Sequence, residues 1–170
     1  KKRGRNITVG AVVGFLLSCT AVMGADNNYL WIKNDAGTTK FNIKDSDNVN
    51  NWNEKNPYEE NEWKENTYIN NMILTGIDNN SYEEWGTKIV DGYGLKLSGD
   101  LGELNFINNG IINGSGKDSG YGIKVLNSSI NGITNNGTIS GISTTSGNSG
   151  SYGYGIIIEN SVANSDINIG

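Results

Sequence analysis

The chain contains no histidine, one cysteine, one proline, and no arginine after Arg5. Without histidine it lacks the most frequent general base, the most frequent metal ligand and the usual switch near neutral pH. The single thiol, Cys19, lies in an apolar amino-terminal run, so the rest of the chain has neither a disulfide nor a thiolate metal site. Hydrophobic residues make up 35% of the chain, little for a compact globular core. Gly is abundant, with 24 residues, but the near absence of Pro excludes a collagen repeat. Gly and the frequent Asn instead favour tight turns, because both tolerate positive φ.

The first residues form a distinct segment. Lys1-Lys2-Arg3-Gly4-Arg5 is basic, Ile7 to Val22 is an uncharged, mostly apolar run of 16 residues, and Val22-Met23-Gly24-Ala25 precedes Asp26. This is the three-part layout of a secretory signal peptide, assigned to 1–24. The run is short for a membrane span, which needs about 20 apolar residues; a permanent anchor is the alternative. Cleavage after Gly24 places Val22 and Gly24 at the two selective positions, and cleavage after Ala25 is a second option. Leu16-Leu17-Ser18-Cys19 resembles a lipoprotein lipobox, which would make Cys19 an acylated first residue. Position 1 is not Met, so the open reading frame is expected to begin upstream.

Removing 1–24 leaves 9 basic against 18 acidic residues. A chain this acidic repels phosphate backbones, which argues against nucleic acid as a partner.

From 25 to 91 the chain is polar, acidic and aromatic, with all four tryptophans (Trp31, Trp52, Trp63 and Trp85). From 92 to 170 it is rich in Gly, Asn, Ser and Ile, and here it repeats. Tyr93-Gly94-Leu95-Lys96-Leu97 recurs 28 residues later as Tyr121-Gly122-Ile123-Lys124-Val125, and after a further 33 as Tyr154-Gly155-Ile156-Ile157-Ile158. Phe106-Ile107-Asn108-Asn109-Gly110-Ile111-Ile112-Asn113-Gly114 recurs 27 residues later as Ile133-Thr134-Asn135-Asn136-Gly137-Thr138-Ile139-Ser140-Gly141. Two markers moving together indicate one repeating structural unit. Within it apolar residues fall two apart, the period of short strands with one buried face. Asn-Gly, Ser-Gly and Asn-Ser end the strands, and Ser143 to Ser151 is expected to bulge as a loop. Such a unit buries its inner face only by stacking on a copy of itself. The expectation is an all-β fold, a right-handed parallel β-helix or β-solenoid over 92–170, with a β-sandwich as the competing architecture. The chain ends within a unit, at Ile167-Asn168-Ile169-Gly170, so the repeat array is expected to be truncated.

The 25–91 region is expected to cap the first coil, its tryptophans packing over the open end; the alternative is that these aromatics are exposed as a binding site. Tyr29–Lys33 and Lys40–Lys44 form a hairpin in this reading, turning at 34–37. Asn48 to Glu65 is an irregular or partly helical excursion, and Tyr68 to Thr75 a further strand.

The leader, the aromatic region and the Tyr-Gly-Ile and Asn-Asn-Gly-Thr-Ile units together resemble the passenger start of type V autotransporters, in particular the large adhesin-like proteins of fusobacteria. The residues carrying the likeness are Lys1-Lys2-Arg3-Gly4-Arg5-Asn6-Ile7 and Asn135-Asn136-Gly137-Thr138-Ile139-Ser140-Gly141. The resemblance implies Sec-dependent export, a cell-surface, outer-membrane or extracellular location, outer-membrane translocation machinery as a partner, and attachment to host or bacterial surface ligands. Two-partner secreted haemagglutinins are similar in architecture, but their secretion-domain motifs have no match here.

Catalytic, cofactor-binding and metal-binding residues are all assigned as none, and no cofactor is expected. A carbohydrate-active β-helix enzyme would need clustered acids, whereas Asp100, Glu103, Asp118, Glu159 and Asp166 do not recur at one position of the unit. Lys96 and Lys124 do recur, as an outward, solvated pair that discourages edge association. Glu54, Glu59, Glu60, Glu62 and Glu65 form a solvated acidic face. Asp91-Gly92-Tyr93-Gly94 lacks the regular Asp of a calcium-binding repeat, and Gly114-Ser115-Gly116-Lys117 lacks the spacing of a phosphate loop.

Overall fold

The structure is a computed structural model that describes residues 28–43, 52–145 and 151–169. The expected signal peptide, its cleavage sites and the Cys19 lipobox lie outside the described residues, as do Lys44, Asn48 to Asn51 and most of the expected 143–151 loop.

The described residues are all-β. Thirteen strands run in chain order: β1 (Leu30–Asp35), β2 (Thr38–Asn42), β3 (Glu62–Lys64), β4 (Thr67–Asn70), β5 (Ile73–Ile77), β6 (Asn80–Glu84), β7 (Thr87–Asn108), β8 (Ile111–Gly116), β9 (Ser119–Asn135), β10 (Thr138–Ser143), β11 (Tyr152–Glu159), β12 (Val162–Ala163) and β13 (Ile167–Ile169). They form two mostly parallel sheets. The larger follows the path β11-β9-β7-β1-β2, and the smaller is β10-β8-β5.

The repeat markers meet residue for residue. Tyr93 pairs with Tyr121 and Tyr121 with Tyr154, while Leu95, Ile123 and Ile156 form one row and Leu97, Val125 and Ile158 another. In the smaller sheet Ile112 pairs with Ile139 and Gly114 with Gly141. This register follows from the period-two pattern. A slip of one residue would turn every buried Ile, Leu and Val to solvent.

The same rows extend upstream of residue 92. Leu30 and Ile32 pair in parallel with Leu95 and Leu97. Tyr68 and Asn70 pair with Phe106 and Asn108, and Leu74 and Gly76 with Ile112 and Gly114. The segment expected as one strand at Tyr68 to Thr75 is therefore two, β4 and β5, in different sheets. The inner rows form one core in which Leu30, Ile32, Phe41, Tyr68, Leu74, Leu95, Leu97, Ile112, Ile123, Val125 and Ile133 are fully buried. Each buried aliphatic chain contributes about 1.5–3 kcal/mol relative to exposure.

Where β5 meets β7, β8 meets β9 and β10 meets β11, the backbones of the two sheets approach closely. A Cβ on Gly76, Gly114 or Gly141 would lie 1.8, 1.8 or 2.1 Å from the carbonyl oxygen of Tyr93, Tyr121 or Tyr154.

The three antiparallel pairings among the described strands are hairpins: β1–β2, β3–β4 and β6–β7. Each turns on two residues at positive φ, Ala36-Gly37, Glu65-Asn66 and Trp85-Gly86, as a tight two-residue hairpin requires. The first is the hairpin expected from Tyr29–Lys33 and Lys40–Lys44. The excursion expected within 48–65 is irregular rather than helical among its described residues. Residues 52–61 are irregular, held to β2 by mutual backbone bonds between Asn53 and Phe41, and 62–64 is β3. All three hairpins attach on the amino-terminal side of the larger sheet, so that edge ends in antiparallel strands, while the smaller sheet ends there in the parallel strand β5. On the other side β10, β11, β12 and β13 lie parallel to their neighbours and leave Ile142, Tyr152, Val162 and Ile169 exposed.

Candidate functional site

Chemistry-bearing side chains concentrate on a second apolar cluster, separate from the core. Tyr29, Trp31, Tyr93 and Tyr121 are its buried members, and Trp52, Tyr154 and Ile157 pack against it. Register makes this a ladder: Tyr93 and Tyr121 have ring centroids 5.2 Å apart, and Tyr121 stacks on Tyr154 at 5.4 Å and 9°. Trp31 continues it at 6.4 Å from Tyr93.

Lys96 and Lys124 are register partners, as the repeat spacing implies, but they are not a solvated pair. Lys96 Nζ lies 4.2 Å from the Trp31 ring centroid, and Lys124 Nζ lies 4.6 Å from that of Tyr121. Lys124 is only 9% exposed and is paired with Glu159 at 3.1 Å. The sequence hid this because β11 carries Ile157 at the third position of the row while its acid sits two residues on. A cation over an aromatic face contributes roughly 0.5–2 kcal/mol, more as it is desolvated. The lysines thus tie neighbouring repeats together.

The carboxylates are similarly engaged. Asp118 Oδ2 accepts the Val90 N–H at 2.7 Å, and Asp78 Oδ1 accepts the Lys117 N–H at 2.8 Å. Asp100 accepts the Ser129 hydroxyl, and Glu103 accepts the Asn66 side-chain amide at 2.7 Å. The five glutamates expected on one face between residues 54 and 65 are all exposed. Among the described residues no three metal-ligating side chains converge. Asn70, Asn108 and Asn135 form a buried amide ladder, each link 2.8 Å.

The tryptophans divide. Trp31 is buried, and Trp52 and Trp63 are half-buried against aromatic neighbours. Trp85 departs from the expected packing role: it is 98% exposed at the β6–β7 hairpin tip.

Burial pushes the Tyr93 hydroxyl well above the usual tyrosine range and raises that of Tyr121, so neither is primed as a base. Asp91 is buried beneath them, and its Oδ2 accepts the Tyr93 hydroxyl at 3.1 Å. Desolvation raises its carboxyl above the ordinary 3.8. The Tyr93 hydroxyl, Lys124 and the Ser119 N–H act against the rise, and Asp118 adds to it. The folded state therefore holds this proton more tightly than the unfolded chain does. Stability is gained as pH falls through the raised value towards 3.8, and lost as pH rises through the same window. Asp91→Asn is expected to melt above the parent at pH 7, with the gap closing as pH falls into the carboxyl range. Thermal melts across pH test this, and a variant that melts lower at every pH would contradict it.

Comparison with protein-family models, with curated proteins and with solved structures finds no match to this chain.

Proposed function

We propose that the chain is the start of an exported, non-catalytic surface protein whose stacked repeats wind as a right-handed parallel β-helix and serve as a rigid stalk for attachment. The observation that carries this reading is the engagement of reactive side chains between repeats: the lysines over tyrosines, the carboxylates on backbone N–H groups, the amides on one another. A surface built this way resists deformation and leaves few groups poised for chemistry. The winding is supported by β7, β8 and β9. The outer two are parallel neighbours in one sheet and β8 belongs to the other, and crossovers of this kind are right-handed in about 98% of cases. The basic and apolar leader supports export. Likeness of the repeat units to autotransporter passengers supports a location on the cell surface, with outer-membrane translocation machinery and surface ligands of host or bacterial cells as partners.

The test is intact-mass and amino-terminal analysis of the native protein from the cell envelope. A mature chain beginning near Ala25 or Asp26, with a mass far above the 18.3 kDa of these 170 residues, is expected. A small species acylated at Cys19 would contradict the stalk and indicate a lipoprotein.

A further inference from the structure

We infer that a cleft on the amino-terminal side of the molecule is a binding site for a neutral saccharide. The inference goes beyond the stalk reading and does not depend on export or on β-helical winding.

The cleft has a volume of about 330 Å³, within the range of small-molecule sites. Its walls come from three places: the β1–β2 hairpin with Asn34 and Thr39, the β3–β4 hairpin with Trp63 and Asn66, and β7 with Asp100 and Glu103. In this part of β7 the register with β9 breaks, between Ser98 and Gly99 and again between Leu101 and Asn105. Irregularities of this kind re-aim side chains and are common beside functional sites. Two of the lining residues, Gly37 and Asn66, sit at positive φ.

Four of the polar side chains are held in place, each through one atom. Asn34 Oδ1 accepts the Gly37 N–H at 2.9 Å, the Asn66 amide donates to Glu103 Oε2 at 2.7 Å, and Asp100 Oδ1 accepts the Gly102 N–H at 3.2 Å. The Asn34 Nδ2 donor, the acceptors Asn66 Oδ1, Glu103 Oε1 and Asp100 Oδ2, and the Thr39 hydroxyl have no partner among the described residues. Trp63 is braced by Phe41, edge-on at 5.6 Å, and by Tyr68 at 6.4 Å, and it lines the cleft.

A fixed indole beside interleaved donors and acceptors matches a sugar ring, which has an apolar C–H face and hydroxyls that both donate and accept. Among the described residues no lysine lines the cleft, and the two carboxylates repel sialylated or sulfated ligands. An ammonium ligand would satisfy the carboxylates, but it only donates and would leave the Asn34 amide unmatched.

The experiment is to probe the full chain with a glycan array carrying neutral, sialylated and sulfated glycans, then to titrate the retained glycans by tryptophan fluorescence, with choline as a cationic competitor. Neutral glycans are expected to be retained, and their sialylated counterparts to bind at least about tenfold more weakly. Trp63→Ala is expected to lose roughly tenfold or more in affinity. Because Trp63 also packs on Phe41 and Tyr68, Glu103→Ala at an exposed position is the second variant, with a loss of similar size and an unchanged melting temperature. Retention of no neutral glycan overturns the proposal. So does preference for anionic glycans, displacement by choline, or affinity unchanged in both variants.

Discussion

Gly114→Val is expected to abolish cooperative folding. A Cβ at this position would sit 1.8 Å from the Tyr121 carbonyl oxygen, 2.4 Å from its carbon and 2.5 Å from the Gly92 carbonyl oxygen. These are backbone atoms of paired strands, so none can move alone. Gly76 and Gly141 meet Tyr93 and Tyr154 in the same way, and relief in one repeat strains those beside it. The penalty exceeds the roughly 4–5 kcal/mol at which single substitutions become exceptional, against a total stability of about 5–15 kcal/mol for a domain. Gly37→Ala is the control. Gly37 has φ of 86° and nothing within 4 Å, so only the left-handed backbone penalty applies, about 1–2 kcal/mol. Circular dichroism melts should show a clear transition for Gly37→Ala and none for Gly114→Val. A Gly114→Val melt within a few degrees of the parent would mean that the sheets do not meet through this glycine column.

Asn108→Ala is expected to cost about 3 kcal/mol. Asn108 is fully buried, accepts from Asn70 and donates to Asn135, both at 2.8 Å. Truncation strands the Asn135 acceptor, while the Asn70 amide keeps its bond to the Met72 carbonyl at 3.0 Å. A buried polar atom left without a partner costs about 1–3 kcal/mol, and the lost volume adds to it. Asn109 makes the corresponding contacts on the exposed side in the opposite sense, donating to Asn71 at 3.0 Å and accepting from Asn136 at 2.9 Å. There water replaces the partner, and Asn109→Ala should fall within about 0.5 kcal/mol of the parent. Urea titrations of the two variants measure the difference directly. Equal costs would show that the ladder's burial contributes nothing.

The repeats with identical markers were legible in the sequence. Tyr-Gly at 93, 121 and 154 and Asn-Asn-Gly at 108 and 135 recur because the stacked positions demand the same shape in each copy. The copy at Tyr68-Ile69-Asn70-Asn71-Met72-Ile73-Leu74-Thr75-Gly76 escaped because Met72 stands where Gly110 and Gly137 stand, and 38 residues separate Asn70 from Asn108 rather than 27. Leu30 and Ile32 escaped for a similar reason. The β2 strand, the irregular stretch and two further hairpins intervene before Leu95 and Leu97. Hydrophobic alternation located these strands, but pairing between distant strands leaves no local signal. The lysines were found by their spacing and misplaced by their type. Nothing local reveals that Tyr121 and Glu159 would enclose the Lys124 ammonium. The saccharide cleft was not legible, because its six polar and aromatic side chains come from three separated segments and from a register break.

The most direct test of the in-register parallel stacking is a cysteine pair placed on adjacent repeats in a Cys19→Ser background. Ile107 and Thr134 are register partners on β7 and β9 and are partly exposed. Parallel neighbours lie about 4.8 Å apart, within disulfide reach. Ile107→Cys with Thr134→Cys is expected to form an intramolecular disulfide readily under mild oxidation and to raise the melting temperature. Ile107→Cys with Asn131→Cys, three residues out of register, is expected to stay reduced. Failure of the first pair to close, or equal closure of both, would contradict the stacking on which this account of the protein rests.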